Sequence, residues 1–256
     1  MGNAINSLNS VVKNAPNSVN QISSESEPRT AKHAQSTNLT RIYLVRHGQT
    51  ELNVSAVLRG HLDPKLDALG ILQAKMLGEA IGREQVQLLV SSPLKRAVET
   101  ATEIAIRSGI EVEIEPRLID RDYGPWAGKS KESVIAKFGS LEAAPDIERE
   151  SEVLARSLEA VMDVARRVQN GSAVLVSHDA VNRLLLSALD TKLKDISSIP
   201  QETGCFNIIE LKNNEWYVLG INKYPSRNGM PVSQLGDGND DLAETRTQRT
   251  DEGDHE

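Results

Sequence analysis

The stretch Arg41-Ile-Tyr-Leu-Val-Arg-His-Gly-Gln-Thr50 decides how the chain reads. Ile42 to Val45 is a short apolar run, rich in β-formers and without polar alternation, as in a strand buried on both faces. The run stops on a cation, an imidazole and a glycine: Arg46, His47 and Gly48. Ligands of open α/β sheets bind beyond the carboxyl ends of the strands, so Arg46 and His47 would stand at a binding edge. Arginine offers a fixed fork of donors to phosphate oxygens. A neutral imidazole can attack phosphorus, and Gly48 would let the backbone come close to a bound group. A lone histidine at a strand end is more readily structural; two further strand ends shift that balance.

Val86 to Val90 is a second buried run, and it leads into Ser91-Ser-Pro-Leu-Lys-Arg96. Ser92 is expected to cap a helix there, with Pro93 at its first position. Arg96 then falls in the first helical turn, where free N–H groups and the helix dipole favour an anion. A third run, Ala173 to Val176, delivers Ser177-His178-Asp179 and then a helix over Val181 to Leu189. In a doubly wound sheet all three junctions face one edge. Two arginines and two histidines meeting there describe a pocket for a doubly charged phosphoryl group. Of the other histidines, His33 and His255 lie near the chain ends and His61 in the first loop.

The remaining elements follow from periodicity. Asp67 can cap a helix reaching Gly82, with Leu69, Leu72, Met76 and Ala80 on its packed face. Glu148 to Val168 reads as a helix through Leu154, Leu158, Val161, Ala165 and Val168. Phe206 to Leu211 and Trp216 to Ile221 read as strands joined by Lys212-Asn-Asn-Glu215, a hairpin, so at least one strand is antiparallel to the rest. The expected fold is α/β: three layers, α/β/α, with a mostly parallel sheet carrying an antiparallel edge hairpin.

Residues 1–39 are dominated by Asn, Ser, Gln and Glu and are expected to be disordered. Residues 40–223 form the one folded domain, and 224–256 an acidic, solvated tail. The 256 residues carry a net charge of −7 and no basic stripe, which argues against a nucleic-acid partner. No apolar stretch could span a bilayer and no signal peptide opens the chain, so neither membrane nor export is expected. The single cysteine, Cys205, excludes an internal disulfide and suits a reducing, cytoplasmic setting.

Three segments together resemble the histidine phosphatase superfamily, whose fold is phosphoglycerate mutase-like. Leu44-Val-Arg-His-Gly-Gln-Thr-Glu-Leu-Asn53 resembles its signature, Ser91-Ser-Pro-Leu-Lys-Arg-Ala-Val-Glu-Thr-Ala101 its second block, and Val176-Ser-His178 its third. The likeness runs from about Arg41 to Ile221. It implies that His47 is the nucleophile and that Arg46, Arg96 and His178 hold the phosphoryl oxygens, with Asn53 adding a side-chain donor. The family's general acid is usually a glutamate ahead of an aromatic-Gly segment; that position, before Tyr123-Gly124, is Asp120 here, with Asp122 in reserve. No metal or other cofactor is implied, because protein cations meet the phosphoryl charge.

The departures are informative. Asp120 is one methylene shorter than glutamate, and Gln49 replaces the usual glutamate. Arg59 stands where the family often has glutamine, and would extend the positive pocket towards a second anionic group. Asp179 follows His178 where glycine is common. Two other signals carry less. Gly124-Pro-Trp-Ala-Gly-Lys-Ser130 imitates a nucleotide phosphate loop with one residue too few between its glycines, and Cys205 lacks the arginine that would make it a nucleophile. The chain is therefore expected to be a metal-independent phosphatase acting on a small-molecule phosphate monoester through a phosphohistidine. The alternatives are a phosphoglycerate mutase and a non-catalytic phospholigand-binding protein.

Overall fold

The computed structural model describes residues 39–225, Ala56 excepted, so both expected extensions lie outside the described residues apart from their inner ends. Leu39 belongs to the first strand and pairs with Lys212.

Six strands form a single sheet: β1 (Leu39–Arg46), β2 (Val86–Ser91), β3 (Val112–Ile114), β4 (Ser172–Ser177), β5 (Phe206–Lys212) and β6 (Glu215–Lys223). Their order is β3-β2-β4-β1-β5-β6. Pairings of β1 with β4, β4 with β2 and β2 with β3 are parallel; β5 runs antiparallel to β1, and β6 to β5. Asn213 and Asn214 turn the edge hairpin with φ of 52° and 65°, the left-handed pair that a two-residue hairpin loop needs. The three strands β2, β4 and β1 are immediate neighbours, so their carboxyl ends share one edge.

Helices cover both faces: α1 (Glu51–Val54), α2 (Ala68–Ile81), α3 (Lys95–Ser108), α4 (Lys131–Phe138), α5 (Glu150–Arg167) and α6 (Asp179–Leu189). Alternation along β1 divides the core. Ile42 and Leu44 pack with Val153, Val161, Val181 and Leu185 of α5 and α6. Tyr43 and Val45 pack with Leu77, Ile81, Ala97 and Ile104 of α2 and α3. Among the described residues, no helix is long and apolar enough to cross a membrane.

Two local expectations fail. α2 does not pack through Leu69 and Leu72, which are 47% and 51% exposed; its buried face is Gly70, Ala74, Leu77, Gly78, Ala80 and Ile81. Small residues carry this contact because the neighbours come very close: a Cβ on Gly70 would lie 2.1 Å from the Gln49 carbonyl oxygen, and one on Gly78 2.5 Å from that of Glu103. α3 is capped by Leu94 rather than Ser92, and Pro93 lies ahead of it. The Ser92 hydroxyl meets His178 instead. A smaller cluster, Leu58, Val134 and Ala144 with Tyr123, Trp126 and Phe138, fastens segment 123–147 beside the sheet edge, with Trp126 edge-on to Phe138 at 4.9 Å.

Candidate active site

At the end of β1 the chain is tied down on both sides. Arg46 N–H donates to the Cys205 carbonyl at 2.9 Å, His47 N–H to Ser177 at 3.1 Å, and Gly204 N–H to the His47 carbonyl at 3.0 Å. The next amide, Gly48 N–H, donates to Thr100 Oγ1 at 3.0 Å. A side chain at Gly48 would come within 2.5 Å of the Gly70 carbonyl, so the turn is tight and the α2 N-terminus closes over it.

The His47 imidazole is fully buried. Its Nδ1 lies 2.7 Å from the Gly48 carbonyl, which can only accept, so Nδ1 carries the proton. Nε2 is therefore the bare nitrogen, and Arg96 Nε–H donates to it at 3.2 Å. Burial, then the charges of Arg96, His178 and Arg46, hold His47 well below the usual histidine range and keep it neutral.

Arg96, in the first turn of α3, is also fully buried. Its Nη1 donates to the Leu62 carbonyl at 2.7 Å, and its Nη2 to Gly60 at 3.0 Å and to Asp120 Oδ2 at 2.9 Å. His178 caps α6, with its ring centroid 5.2 Å from that of His47. Its Nε2 lies 2.7 Å from Ser92 Oγ, and burial followed by the Arg96 and Arg59 charges keeps it neutral as well. Arg46 rests its Nη1 on the Gln201 carbonyl. Burial weakens its hold on its proton, and the Asp179 charge does most to compensate. Asp179 itself bonds Arg183 at 2.5 Å.

Asp120 is buried, with Oδ1 accepting from Arg121 N–H at 2.9 Å and Oδ2 lying 3.8 Å from His178 Nδ1. Asp122 is on the outer side of the loop: half exposed, it faces His61 at 3.7 Å and caps Gly124 N–H at 2.8 Å. The hollow that Asp122 lines also holds Asp146, Glu148 and Glu152, a surface that repels phosphate. Asp120 thus joins the histidines and Arg96, and Asp122 does not.

Asn53 lies in α1, which follows the His47 turn. Its Oδ1 accepts from Thr50 N–H and Thr50 Oγ1 at 3.0 and 2.8 Å, and it makes no hydrogen bond with Arg46, His47, Arg96 or His178. Arg59 sits in the loop whose next carbonyl, Gly60, holds Arg96.

Among the described residues four buried polar atoms have no protein partner, the Asn182 Oδ1 acceptor and a cluster of three nitrogens, Arg46 Nε, Arg59 Nε and His178 Nδ1. Buried polar groups are normally satisfied, so the cluster is built for a hydrogen-bond acceptor. Its positive charge selects an anion.

Two arginines escaped the sequence reading. Arg156 of α5 donates to the carbonyls of Arg117, Ile119 and Asp120 at 2.8, 2.7 and 3.1 Å, and forks onto Glu148 at 2.7 and 2.9 Å. Arg121, almost fully buried, bonds the Glu148 carbonyl at 2.8 Å, Glu150 at 3.3 Å and the Glu142 carboxylate. Both tie the Asp120 loop to the 142–150 segment, Arg156 through three carbonyls and the Glu148 carboxylate, Arg121 through one carbonyl and two carboxylates. The one cue in the sequence was a long cation among the apolar positions of α5.

A sequence model of the histidine phosphatase superfamily (branch 1) matches residues 42–223. The chain belongs to this family. Phosphoserine phosphatase 1 of Hydrogenobacter thermophilus is 32% identical over 195 residues, which is 72% of this chain and 92% of that one. The metal-independent phosphoserine phosphatase of Arabidopsis thaliana is 29% identical over 194 residues, 70% of this chain and 80% of that one. Among solved structures, a mycobacterial glucosyl-3-phosphoglycerate phosphatase superposes with a TM-score of 0.65 at 25% identity, covering 72% of this chain and 99% of that one. Membership of the histidine phosphatases makes this chain a phosphoric monoester hydrolase, and its sheet, with the antiparallel edge hairpin, is the phosphoglycerate mutase-like fold.

Proposed function

We propose that this histidine phosphatase hydrolyses a small-molecule phosphate monoester through a phosphohistidine on His47, without a metal. One observation carries the reading: a neutral imidazole whose unprotonated Nε2 faces a guanidinium and whose Nδ1 is locked on the Gly48 carbonyl. A site that only bound phosphate would need the cations but not a bare nitrogen aimed among them. The names of the relatives, phosphoserine phosphatase and glucosyl-3-phosphoglycerate phosphatase, support a small phosphate ester as substrate.

In the first step the phosphoryl group takes over the donors of Arg96, together with Arg46 Nε–H and His178 Nδ1–H. Ser92 O–H donating to His178 Nε2 would leave Nδ1 as the proton-bearing nitrogen. The His47 Nε2 lone pair forms the P–N bond as the ester P–O bond breaks. Asp120, in its acid form, gives its proton to the leaving oxygen, which departs as an alcohol. In the second step the Asp120 carboxylate takes a proton from water, whose oxygen attacks phosphorus. The P–N bond breaks, phosphate leaves, and His47 and Asp120 return to their starting states. Guanidinium and imidazole donors meet the charge at every stage.

The test is a phosphate-release assay in EDTA on 4-nitrophenyl phosphate and phosphoserine, with acid-labile, base-stable label trapped on the protein from a ³²P substrate. Release and label that both vanish in His47→Ala support the reading. Isomerisation of a phosphoglycerate without net release would make the chain a mutase. Binding of phosphate esters with neither outcome would leave a phospholigand-binding protein.

A further inference from the structure

The segment that leads into β5 grips the end of β1. The Cys205 carbonyl takes Arg46 N–H, Gly204 N–H donates to the His47 carbonyl, and the Gln201 carbonyl accepts from Arg46 Nη1. Among the described residues, that last contact is the one hydrogen bond of the Arg46 side chain. Its Nε has no protein partner, and the Asp179 carboxylate is engaged by Arg183 at 2.5 Å. The direction of the Arg46 fork therefore depends on where the Gln201 carbonyl stands.

A buried set of side-chain amides fixes that carbonyl. Gln201, Asn207 and Asn182 are 4%, 0% and 0% exposed. Gln201 Nε2 donates to Asn207 Oδ1 at 2.7 Å and to the Pro200 carbonyl at 2.8 Å. Its Oε1 accepts from Asn207 Nδ2 at 3.0 Å and from Asn182 Nδ2 at 3.2 Å. Asn207 Nδ2 also donates to the carbonyl of Leu44, two residues before Arg46, at 3.0 Å, and Asn207 Oδ1 takes Asn222 N–H at 2.9 Å. This last bond lies in a bulge: between the pairs Phe206–Lys223 and Ile208–Gly220, Ile221 and Asn222 of β6 stand against Asn207 alone. Asn207 thus uses every hydrogen-bonding position of its amide to join β1, β6 and Gln201. Leucines would serve the core better, since a buried amide is costly unless paired and Asn182 Oδ1 is not.

We propose that Asn207 is a positioning residue for Arg46: paired with the Gln201 amide, it sets the Gln201 carbonyl and through it the angle at which the Arg46 fork meets an oxyanion. The assignment rests on the phosphatase reading for the group that Arg46 holds. Fixed hydrogen bonds behind a donor reduce the freedom it must lose when the anion arrives. Without them the fork swings on its flexible stem, and part of the binding goes into ordering it.

The test is calorimetric binding of tungstate, an oxyanion shaped like phosphate that undergoes no turnover. Asn207→Leu should weaken it by about tenfold, the scale of losing one charge-assisted hydrogen bond. In an Arg46→Met background the same change should alter binding by about twofold at most, whereas in an Arg96→Met background the tenfold loss should remain. A residue that only supported the fold would cost the same in both backgrounds. Gln201→Met, which removes the paired amide and keeps the carbonyl, is the second probe, and thermal melts show which variants are folded. Unchanged tungstate affinity in a folded variant, equal losses in the two backgrounds, or tungstate binding that ignores Arg46 would overturn the role of Asn207. Coupling of Asn207 to Arg46 in a protein that releases no phosphate from esters would overturn the phosphatase reading alone.

Discussion

Arg96 Nε–H points at His47 Nε2 across 3.2 Å, so the guanidinium occupies the place that a phosphoryl group would take. The two side chains arrive from strand ends that are not adjacent in the sheet, β1 and β2, with β4 between them. Arg96 helps hold the imidazole in one tautomer and, with burial, keeps it uncharged.

Removing that cation should be visible at the nitrogen. Arg96→Met is expected to raise the pKa of His47, because the second-largest influence holding it down disappears while burial remains. Histidine ¹⁵N chemical shifts across a pH series check the direction. Phosphatase activity should fall by about a hundredfold or more, the scale of losing a charge-stabilising donor.

Two buried neutral histidines also link stability to pH. Both have folded pKa values well below the usual 6.5, so the unfolded chain binds more protons than the native one once pH falls under that value. Their contribution to stability is full above pH 6.5 and is lost as pH drops towards the folded values, by about 1.4 kcal/mol per pH unit for each histidine. Urea midpoints between pH 7 and 5 should fall steeply in the wild type. The slope should be shallower in His47→Gln/His178→Gln.

The two carboxylates of the 120–122 segment should behave differently. Asp120→Asn is expected to lower kcat on alkyl phosphates by about 10²–10⁴, the usual range for a general acid. It should do less to 4-nitrophenyl phosphate, whose leaving group needs little protonation. Asp122→Asn, at an exposed position facing His61, should stay within threefold on both substrates. Comparable losses in the two variants would show that the loop, not the Asp120 proton, is what matters.

Arg156 never touches the phosphate pocket, yet it holds three carbonyls of the loop that carries Asp120. Truncation to Ala strands those carbonyls and the partly buried Glu148 carboxylate, a loss of about 3 kcal/mol. Denaturant titration measures that. The rate across esters of rising leaving-group pKa should also fall off more steeply than in the wild type, because a displaced acid matters most where protonation matters most.

Gly70→Ala tests the close approach of α2 to the turn after His47. The new Cβ would meet the Gln49 carbonyl at 2.1 Å, so the backbone must move, at about 1–3 kcal/mol. Thermal midpoints give the stability change, and KM for 4-nitrophenyl phosphate reports whether the shift reaches Gly48.

What could be read in advance depended on whether a residue acts through its own type or through its neighbours. Three apolar runs ending in Arg46-His47, Arg96 and His178 are visible because fully buried strands have a composition of their own and a charged stop after one is rare. The Asn-Asn hairpin announces itself for the same reason: few residues accept positive φ. The packed face of α2 was misread because leucine looks like core, whereas the tight contact there demands glycine and alanine. Asn53 was assigned by resemblance as a donor; its Oδ1 closes a local turn, and its Nδ2 is the group that the donor role would use. Arg121 and Arg156 could not be found, since the carbonyls and distant glutamates that they bind are gathered only by the folded loop.

The central place of β1 has a consequence for synthesis. Its partners on either side are β4, where Ser172 pairs with Arg41, and β5, where Phe206 pairs with Val45. The strand that ends in His47 is made well before either mate, and until they follow both of its hydrogen-bonding edges are bare. At typical elongation rates that interval is on the order of ten seconds. Nascent protein would therefore pass through a stage with an open apolar strand, which pairs first with β4 and is closed on its second edge only when β5 emerges.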